Sequence, residues 1–280
     1  MEHRASVVTI TARPGIFRFG RETLEAQTFK DFEWVVVDKL YNQRKDEVAE
    51  YMKDSPLNFK HVPEPPKDKK FNLFKANNAG IKNSTGELIV WLQDLILIPT
   101  DGLQKFWDMY QQHPDAMYSG VDGRFFLLSE KIDPTNMIDI LDGGGWSHGK
   151  IDYVNERIGD KGIYQTSNPF EFELNWGAFS RSVASDLGGF NEDFDHGFGY
   201  DNTEFALRGI TIGAELWIDT TNYAEAINHW EIYLSTGDRT IESESFSPER
   251  NKAEQENTHR YREYRKAMEL GFTPISLNYL

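Results

Sequence analysis

Two short apolar runs near the N-terminus, Ser6-Val7-Val8-Thr9-Ile10-Thr11 and Phe32-Glu33-Trp34-Val35-Val36-Val37, are separated by a stretch of helical composition from Arg21 to Thr28. Runs of β-branched and aromatic residues with little polar alternation are the pattern of strands buried on both faces. Two such strands joined through a helix cannot form a tight hairpin. The crossover makes them parallel partners, and ligands of parallel α/β sheets bind outside the carboxyl ends of the strands. Asp38 closes the second run. A third run, Glu87 to Leu92, follows a helical segment from Phe74 to Lys82 and ends at Gln93-Asp94, so a second carboxylate is expected on the same edge.

The remaining chain extends this α/β pattern. Glu47 to Lys53 and Gly102 to Gln112 have helical composition, Asn58 to Val62 and Ala116 to Ser119 read as short strands, and Pro63 to Lys70 is a polar, Pro-rich connection. From Asp122 to Ser167 the chain reads as irregular, with a Gly143-Gly144-Gly145-Trp146 turn. Helices are expected over Arg181 to Leu187 and Asp201 to Gly209, and short strands over Ala214 to Ile218 and Ala224 to Asn228. Pro248 to Leu270 is highly charged, with Tyr261, Tyr264, Ala267 and Met268 at helical spacing on one side. That side is expected to pack on the core or on a second copy of the chain in a homo-oligomer.

Composition narrows the partners. The 280 residues carry 30 Lys and Arg against 45 Asp and Glu, a formal charge of −15. Nucleic acid is not the expected partner, because neutralising phosphates requires clustered cations. If an anionic nucleotide binds, a divalent ion held by carboxylates is the simplest way to offset the local field. No Cys is present, which removes disulfides, thiolate metal sites and Cys nucleophiles and fits a reducing, cytoplasmic setting. No transmembrane segment is expected, since no run approaches about 18 uninterrupted apolar residues. The seven Trp, twelve Tyr and nineteen Phe exceed ordinary core filling and suit stacking on sugars or bases.

Three constellations could carry chemistry. Asp38 and Asp94 at successive strand ends could hold a ribose, a base or a metal ion, or could simply form turns. Asp201-Asn202-Thr203-Glu204 followed by Arg208 could be a capping box with an i, i+4 ion pair, or the first turn of a helix that presents a base or an acceptor anchor. His229, in Ile227-Asn228-His229-Trp230, is a core or surface residue or, beside a carboxylate site, a ligand for Mn²⁺ or a similar ion. No Gly-x-Gly-x-x-Gly follows the first strand, and neither a Walker-type Gly-Lys-Ser/Thr nor a Gly-x-Ser-x-Gly elbow occurs, so dehydrogenase, kinase and serine hydrolase readings lose their support.

Ser6 to Pro14, Thr23 to Phe29 and Phe32 to Asp38 together resemble the opening of glycosyltransferase family 2. Ala76-Asn77-Asn78-Ala79-Gly80-Ile81 and Thr85-Gly86-Glu87-Leu88-Ile89 are similar to that family's next block. Trp176-Gly177-Ala178-Phe179-Ser180-Arg181, Gly188-Gly189-Phe190-Asn191-Glu192-Asp193-Phe194 and Asp201 to Arg208 are similar to its acceptor-side block. The resemblance covers roughly residues 5 to 95 and 174 to 230. It implies an α/β GT-A fold, a mostly parallel central sheet flanked by helices, over residues 1–230, with a nucleotide-sugar half to about residue 100, an acceptor half after it, and a charged helical extension over 231–280. It also implies transfer of a sugar from a nucleotide-sugar donor, UDP-linked, to a carbohydrate or other hydroxyl acceptor.

By the same resemblance Asp38 contacts the nucleobase, Thr11, Arg13 and Asn78 lie around the nucleotide, and Asp94 and His229 hold Mn²⁺ or Mg²⁺ on the diphosphate. Trp176 with Gly177, Trp146 and Trp230 are candidates for the acceptor or sugar surface, and for the Trp residues core packing is the alternative. The sequence departs from the family in two places. The Asp-x-Asp motif reads Gln93-Asp94-Leu95, leaving one carboxylate, and the Glu-Asp that precedes the acceptor helix in inverting members reads Asp201-Asn202. An amide cannot accept a proton. Asp201, or Glu204 near it, is then the candidate base, or the enzyme is retaining, as the similar polypeptide N-acetylgalactosaminyltransferases are, or it has become a non-catalytic binding protein. A sugar nucleotidyltransferase is the remaining alternative, but Arg13-Pro14-Gly15 is a poor substitute for its Gly-rich, basic signature.

Overall fold

The computed structural model describes residues 3–12, 16–94, 96–125, 161–227, 248–271 and 277–280. Its first half alternates strands and helices: β1 (Ala5–Thr11), the helix Phe17–Glu25, β2 (Phe32–Asp38), the helix Tyr41–Met52, β3 (Asn58–Pro63), the helix Leu73–Asn83 and β4 (Leu88–Leu92). All four strands are parallel, in the order β3-β2-β1-β4. Alternate residues along them enter opposite cores, as strand geometry requires. Val7, Trp34, Val36, Leu88 and Val90 pack on one side of the sheet, and Val8, Val35, Ile89 and Trp91 on the other. The two-sided burial predicted from the apolar runs is therefore present.

The second half continues the same sheet in mixed orientation. It adds β5 (Ile96–Leu97), β6 (Ala116–Phe125), β7 (Ile163–Thr166), β8 (Trp176–Ser180) and β9 (Glu215–Ile227). β8 lies antiparallel between β4 and β6, β6 runs parallel to β9, and β5 and β7 pair antiparallel with β9. The carboxyl ends of β1, β2, β4, β6 and β9 thus share one edge. Helices Gly102–Gln112, Arg181–Leu187 and Asp201–Thr211 flank this half. Among the described residues, no helix is long and apolar enough to cross a membrane.

Tertiary burial moved several element boundaries. The first helix starts at Phe17, not Arg21, because Phe17 and Phe19 are buried and Phe17 packs on Trp34 with ring centroids 6.1 Å apart. Gly20 costs the helix about 1 kcal/mol relative to Ala, yet a Cβ there would lie 2.4 Å from the Trp34 ring. The two strands expected at Ala214 and Ala224 are one strand. Its polar middle is satisfied within the strand and from a flanking helix: Asp219 accepts from the Thr221 N–H at 2.8 Å and hydroxyl at 2.7 Å, and Asn222 donates to the Gly102 carbonyl at 3.1 Å. The C-terminal helix spans Pro248–Glu269 and packs on the core through Tyr261, one of the residues expected on its apolar side. Residues 277–280 lie along the end of Arg181–Leu187, where the Leu277 and Tyr279 N–H groups donate to the carbonyls of Leu187 (2.9 Å) and Gly188 (3.0 Å).

One buried carboxylate at the opposite edge ties the first half together. Glu33 accepts from the hydroxyls of Ser6 and Thr85, each at 2.7 Å, and pairs with Lys60 at 2.8 Å. Burial alone would raise its pKa, but the bonds from Lys60, Thr85 and Ser6 outweigh it and bring it down to about 2. A carboxylate depressed in the folded state stabilises the fold above its unfolded value and loses that contribution as pH falls toward its folded value. Each unit is worth about 1.4 kcal/mol, and because the Lys60 partner is partly exposed and screened, the contribution is at most on the order of 3 kcal/mol. In urea unfolding between about pH 6 and pH 3, the wild-type chain should lose about half of this increment, and the rest at lower pH. Glu33→Gln should be less stable at pH 6 and flatter with pH; an unchanged slope would show that Glu33 carries no such linkage.

Candidate active site

The carboxyl edge brings three expected residues into a row. Thr11 and Asp38 are register partners at the ends of β1 and β2, and the Thr11 hydroxyl donates to the Asp94 carboxylate at 3.0 Å just after β4. Thr11 and Asp94 are both buried. Asp38 is differently placed. Its two oxygens accept from the Arg44 guanidinium at 2.7 and 2.8 Å, from His61 Nε2 at 2.8 Å and from the Leu40 N–H at 2.7 Å. Burial opposes the charge, but the bonds from His61 and Arg44 prevail and hold the pKa below the ordinary carboxylate range. Four donors fill the acceptor capacity of a carboxylate, so Asp38 organises Arg44 and His61 and offers a ligand little of itself.

A six-residue segment links this edge to the helix Asp201–Thr211. The Gln93 N–H donates to the Asn175 carbonyl at 3.0 Å, and the Asn175 amide donates to Asp122, at the carboxyl end of β6, at 3.3 Å. Two residues earlier, Glu173 accepts from the Asn202 amide at 3.3 Å, and the same amide donates to the Phe172 carbonyl at 2.9 Å. Gly177 belongs to this joint, because a Cβ there would sit 2.3 Å from the Glu173 carbonyl oxygen. Asn202 is therefore a strut between the helix Asp201–Thr211 and the segment beside Asp94. Its amide donates and takes no proton.

Asp201 opens that helix. The residue before it, Tyr200, occupies the left-handed region at φ 72° and provides no side-chain cap, so the capping box considered for Asp201 and Glu204 does not form. Asp201 is partly exposed. Desolvation raises its pKa, more than the Asp201 and Asn202 N–H groups and the Asn77 side chain lower it, and the nearby Asp195 charge raises it further. Among the described residues no cation pairs with it.

Other expected site residues turn inward. Glu204 is fully buried and paired with Arg208 at 2.6 and 3.0 Å, which realises the i, i+4 ion pair and leaves no oxygen for an acceptor. Arg208 also donates to the carbonyls of Leu187 at 2.9 Å and Gly189 at 2.8 Å. Trp176 is not a sugar-stacking surface: it is fully buried, packs on Phe106 with centroids 4.7 Å apart and donates to Asn222 at 3.0 Å. Its aromatic bulk fills the core where β8 crosses the sheet. Asn78 joins the two halves, exchanging hydrogen bonds with the Phe190 backbone at 2.7 and 2.9 Å and donating to Glu192 at 2.9 Å. Arg13, Trp146, His229 and Trp230 lie outside the described residues.

Several contributors escaped the sequence reading. Asp195 accepts from the Phe74 and Lys75 N–H groups, each at 3.0 Å, capping the helix Leu73–Asn83 from more than a hundred residues away. Asp122, Glu173 and Asn175 sit in stretches without a local signal, apart from the alternation of Glu171-Phe172-Glu173-Leu174-Asn175-Trp176, which places polar side chains on one side.

Among the described residues, no three His, Asp or Glu side chains are grouped to hold a metal ion. The donor chemistry nevertheless fits a hard divalent cation, since Mg²⁺-type sites commonly use one or two carboxylates with substrate phosphates and water, and Asp94 supplies one.

No protein-family model and no curated protein matches the sequence. Among solved structures, the chain is similar to GalNAc-T7 with UDP, GalNAc and Mn²⁺, at 15% identity and a TM-score of 0.60 over 80% of this chain and 44% of that one. It is also similar to residues 1–349 of S. aureus TarS in complex with UDP, at 15% identity and a TM-score of 0.57 over 90% and 69% of the two chains. The complex of TarS with UDP-GlcNAc aligns at 13% identity and 0.57 over 80% and 58%. The chain thus spans less than half of the GalNAc-T7 chain, and what is common at these identities is architecture: a parallel β3-β2-β1-β4 half joined to a mixed half, which is the GT-A fold of nucleotide-sugar transferases.

Proposed function

We propose that the protein is a glycosyltransferase that moves a hexosyl unit from a UDP-sugar to a hydroxyl acceptor. The observation that carries this reading is the division of labour among the four expected carboxylates. Asp38 and Glu204 are sealed in ion pairs with Arg44 and Arg208, Asp94 is held by a hydroxyl at the end of β4, and Asp201 stands without a cation and with raised proton affinity. A carboxylate whose pKa is shifted toward the working pH is suited to take a proton from an attacking hydroxyl.

In this reading the nucleotide lies over the ends of β1, β2 and β4, between Thr11, Arg13 and the Asp38-organised Arg44 and His61. Asp94 and His229 would hold Mn²⁺ or Mg²⁺, which offsets charge on the departing diphosphate when bound. The similar GalNAc-T7 and TarS structures contain UDP, and the first also Mn²⁺, which supports the donor and the metal. The acceptor hydroxyl gives its proton to Asp201, while Asn202 keeps the acceptor helix docked on Glu173. Trp146 and Trp230 remain candidates for the sugar surface.

Hydrolysis or transfer assayed across UDP- and GDP-sugars, with and without Mn²⁺, tests this. Asp94→Ala should raise the Mn²⁺ concentration needed for half-maximal rate by at least about 10- to 100-fold, the scale seen when only the outer-shell partners of metal ligands are lost. Turnover indifferent to both Mn²⁺ and Asp94 would sink the proposed donor site. A second reading, a binding protein without turnover, is favoured by the fully occupied Asp38, and tight UDP binding with no turnover on any donor would support it. The anomer of the product, assigned by NMR, separates direct displacement from retention.

A further inference from the structure

The helix Pro248–Glu269 meets the turn that carries Asp201 along one stripe, Ala253, Asn257 and Tyr261, all buried and spaced four apart. The Ala253 carbonyl accepts from the Phe198 N–H at 3.2 Å. The Asn257 amide donates to the Phe194 and Gly199 carbonyls, both at 3.0 Å. The Tyr261 ring lies on Tyr200, with centroids 5.0 Å apart. Arg260 donates to the Asn257 side-chain oxygen, and this leaves the amide NH₂ for the turn.

The turn needs such a hold. Gly199 and Tyr200 are successive left-handed residues, at φ 74° and 72°. A left-handed non-glycine residue costs about 1–2 kcal/mol and persists only where its surroundings over-determine it. Asp201 follows directly, so the direction of its carboxylate depends on that conformation. Hydrogen bonds and ring contacts run from the helix to the 194–200 segment and, through Tyr261 and Phe170 at 5.8 Å, to the adjoining turn at Pro169–Glu171.

We propose that Asn257 is a positioning residue for the transfer reaction: by donating to the Phe194 and Gly199 carbonyls from the C-terminal helix, it locks the left-handed turn that aims Asp201 at the acceptor hydroxyl. The proposal rests on the reading of Asp201 as the base. It extends that reading by making the C-terminal helix part of the reaction machinery, because a misplacement of about 1 Å at a reacting group can cost on the order of 100-fold in rate.

Asn257→Asp in the full chain is nearly isosteric and removes both donated bonds. Its kcat should fall about 10- to 100-fold, with the KM for the UDP-sugar within about twofold, because the donor edge is untouched. Hydrogen exchange of the amides from Phe198 to Glu204 should accelerate while that of β1 and β4 stays as in the wild type. In an Asp201→Asn background the same substitution should cost kcat nothing further, since residues that act through one group are non-additive. If Asn257→Asp does not fold, Asn257→Ala gives the same readings without a buried charge. Unchanged exchange across the turn, or an equal loss of kcat in the Asp201→Asn background, overturns the proposal. If Asp201→Asn alone keeps full activity, the base assignment fails instead, and the exchange data still report whether Asn257 holds the turn.

Discussion

Asp201→Asn is expected to lower kcat by about 10²- to 10⁴-fold, the range supplied by a positioned general base, with little change in stability. The substitution keeps the shape of a half-buried residue that has no ion pair among the described residues, and it removes a charge that desolvation already disfavours, so the fold loses little. The pH dependence gives a second reading of the same residue. Desolvation raises the Asp201 pKa above the ordinary carboxylate range. The base form is then lost while pH is still above the range where surface carboxylates titrate, and the acid limb of the kcat profile should lie correspondingly high. In Asp201→Asn that limb should vanish along with most of the rate. Steady-state rates across the acid range for both proteins check this, and a variant with wild-type kcat and an unshifted limb would remove Asp201 from the reaction.

Arg208→Met is expected to be the most destabilising single change near the site. Arg208 is fully buried and donates to both Glu204 oxygens and to the carbonyls of Leu187 and Gly189. Removing it leaves a buried carboxylate without its cation and takes one donor from each of two carbonyls, of which Leu187 keeps the Leu277 N–H, and breaking a buried pair from one side costs about 3–5 kcal/mol. For a chain of this size that corresponds to a drop in Tm on the order of 10 °C. The double change Glu204→Met with Arg208→Met should recover a large part of the loss, because an apolar pair of similar volume removes the uncompensated charge. Thermal unfolding of both variants separates the outcomes. Equal losses in the single and double variants would mean that the carbonyl contacts, not the ion pair, hold the Gly188-Gly189 turn.

The same pair shows why parts of the site were readable and parts were not. Glu204 and Arg208 are four apart on one helix, and local spacing correctly predicted their pairing. Whether the pair faced solvent, an acceptor or the core depended on the Leu187 to Gly189 backbone, which no local pattern brings near. Asp38 and Asp94 were placed on the carboxyl edge by the strand patterns alone. That Asp38 is consumed by Arg44 and His61 depended on β3 pairing beside β2 and bringing His61 into reach. The motif leaves Trp176 open as a sugar-stacking or a core aromatic, and it is core in three dimensions because β8 inserts between β4 and β6.

Asn257 is the extreme case. It lies in a charged helix whose sequence shows only amphipathic spacing, and its two acceptors are 58 and 63 residues away. By itself the sequence determined the parallel half of the sheet, the carboxyl edge and the helix that begins at Asp201, because these follow from periodicity and short-range turn chemistry that act within a few residues. Tertiary structure alone decided which carboxylates are neutralised, which Trp is core and which distant side chain holds the Asp201 turn. Those outcomes depend on desolvation and on hydrogen-bond partners that arrive only when segments far apart in the chain are packed together.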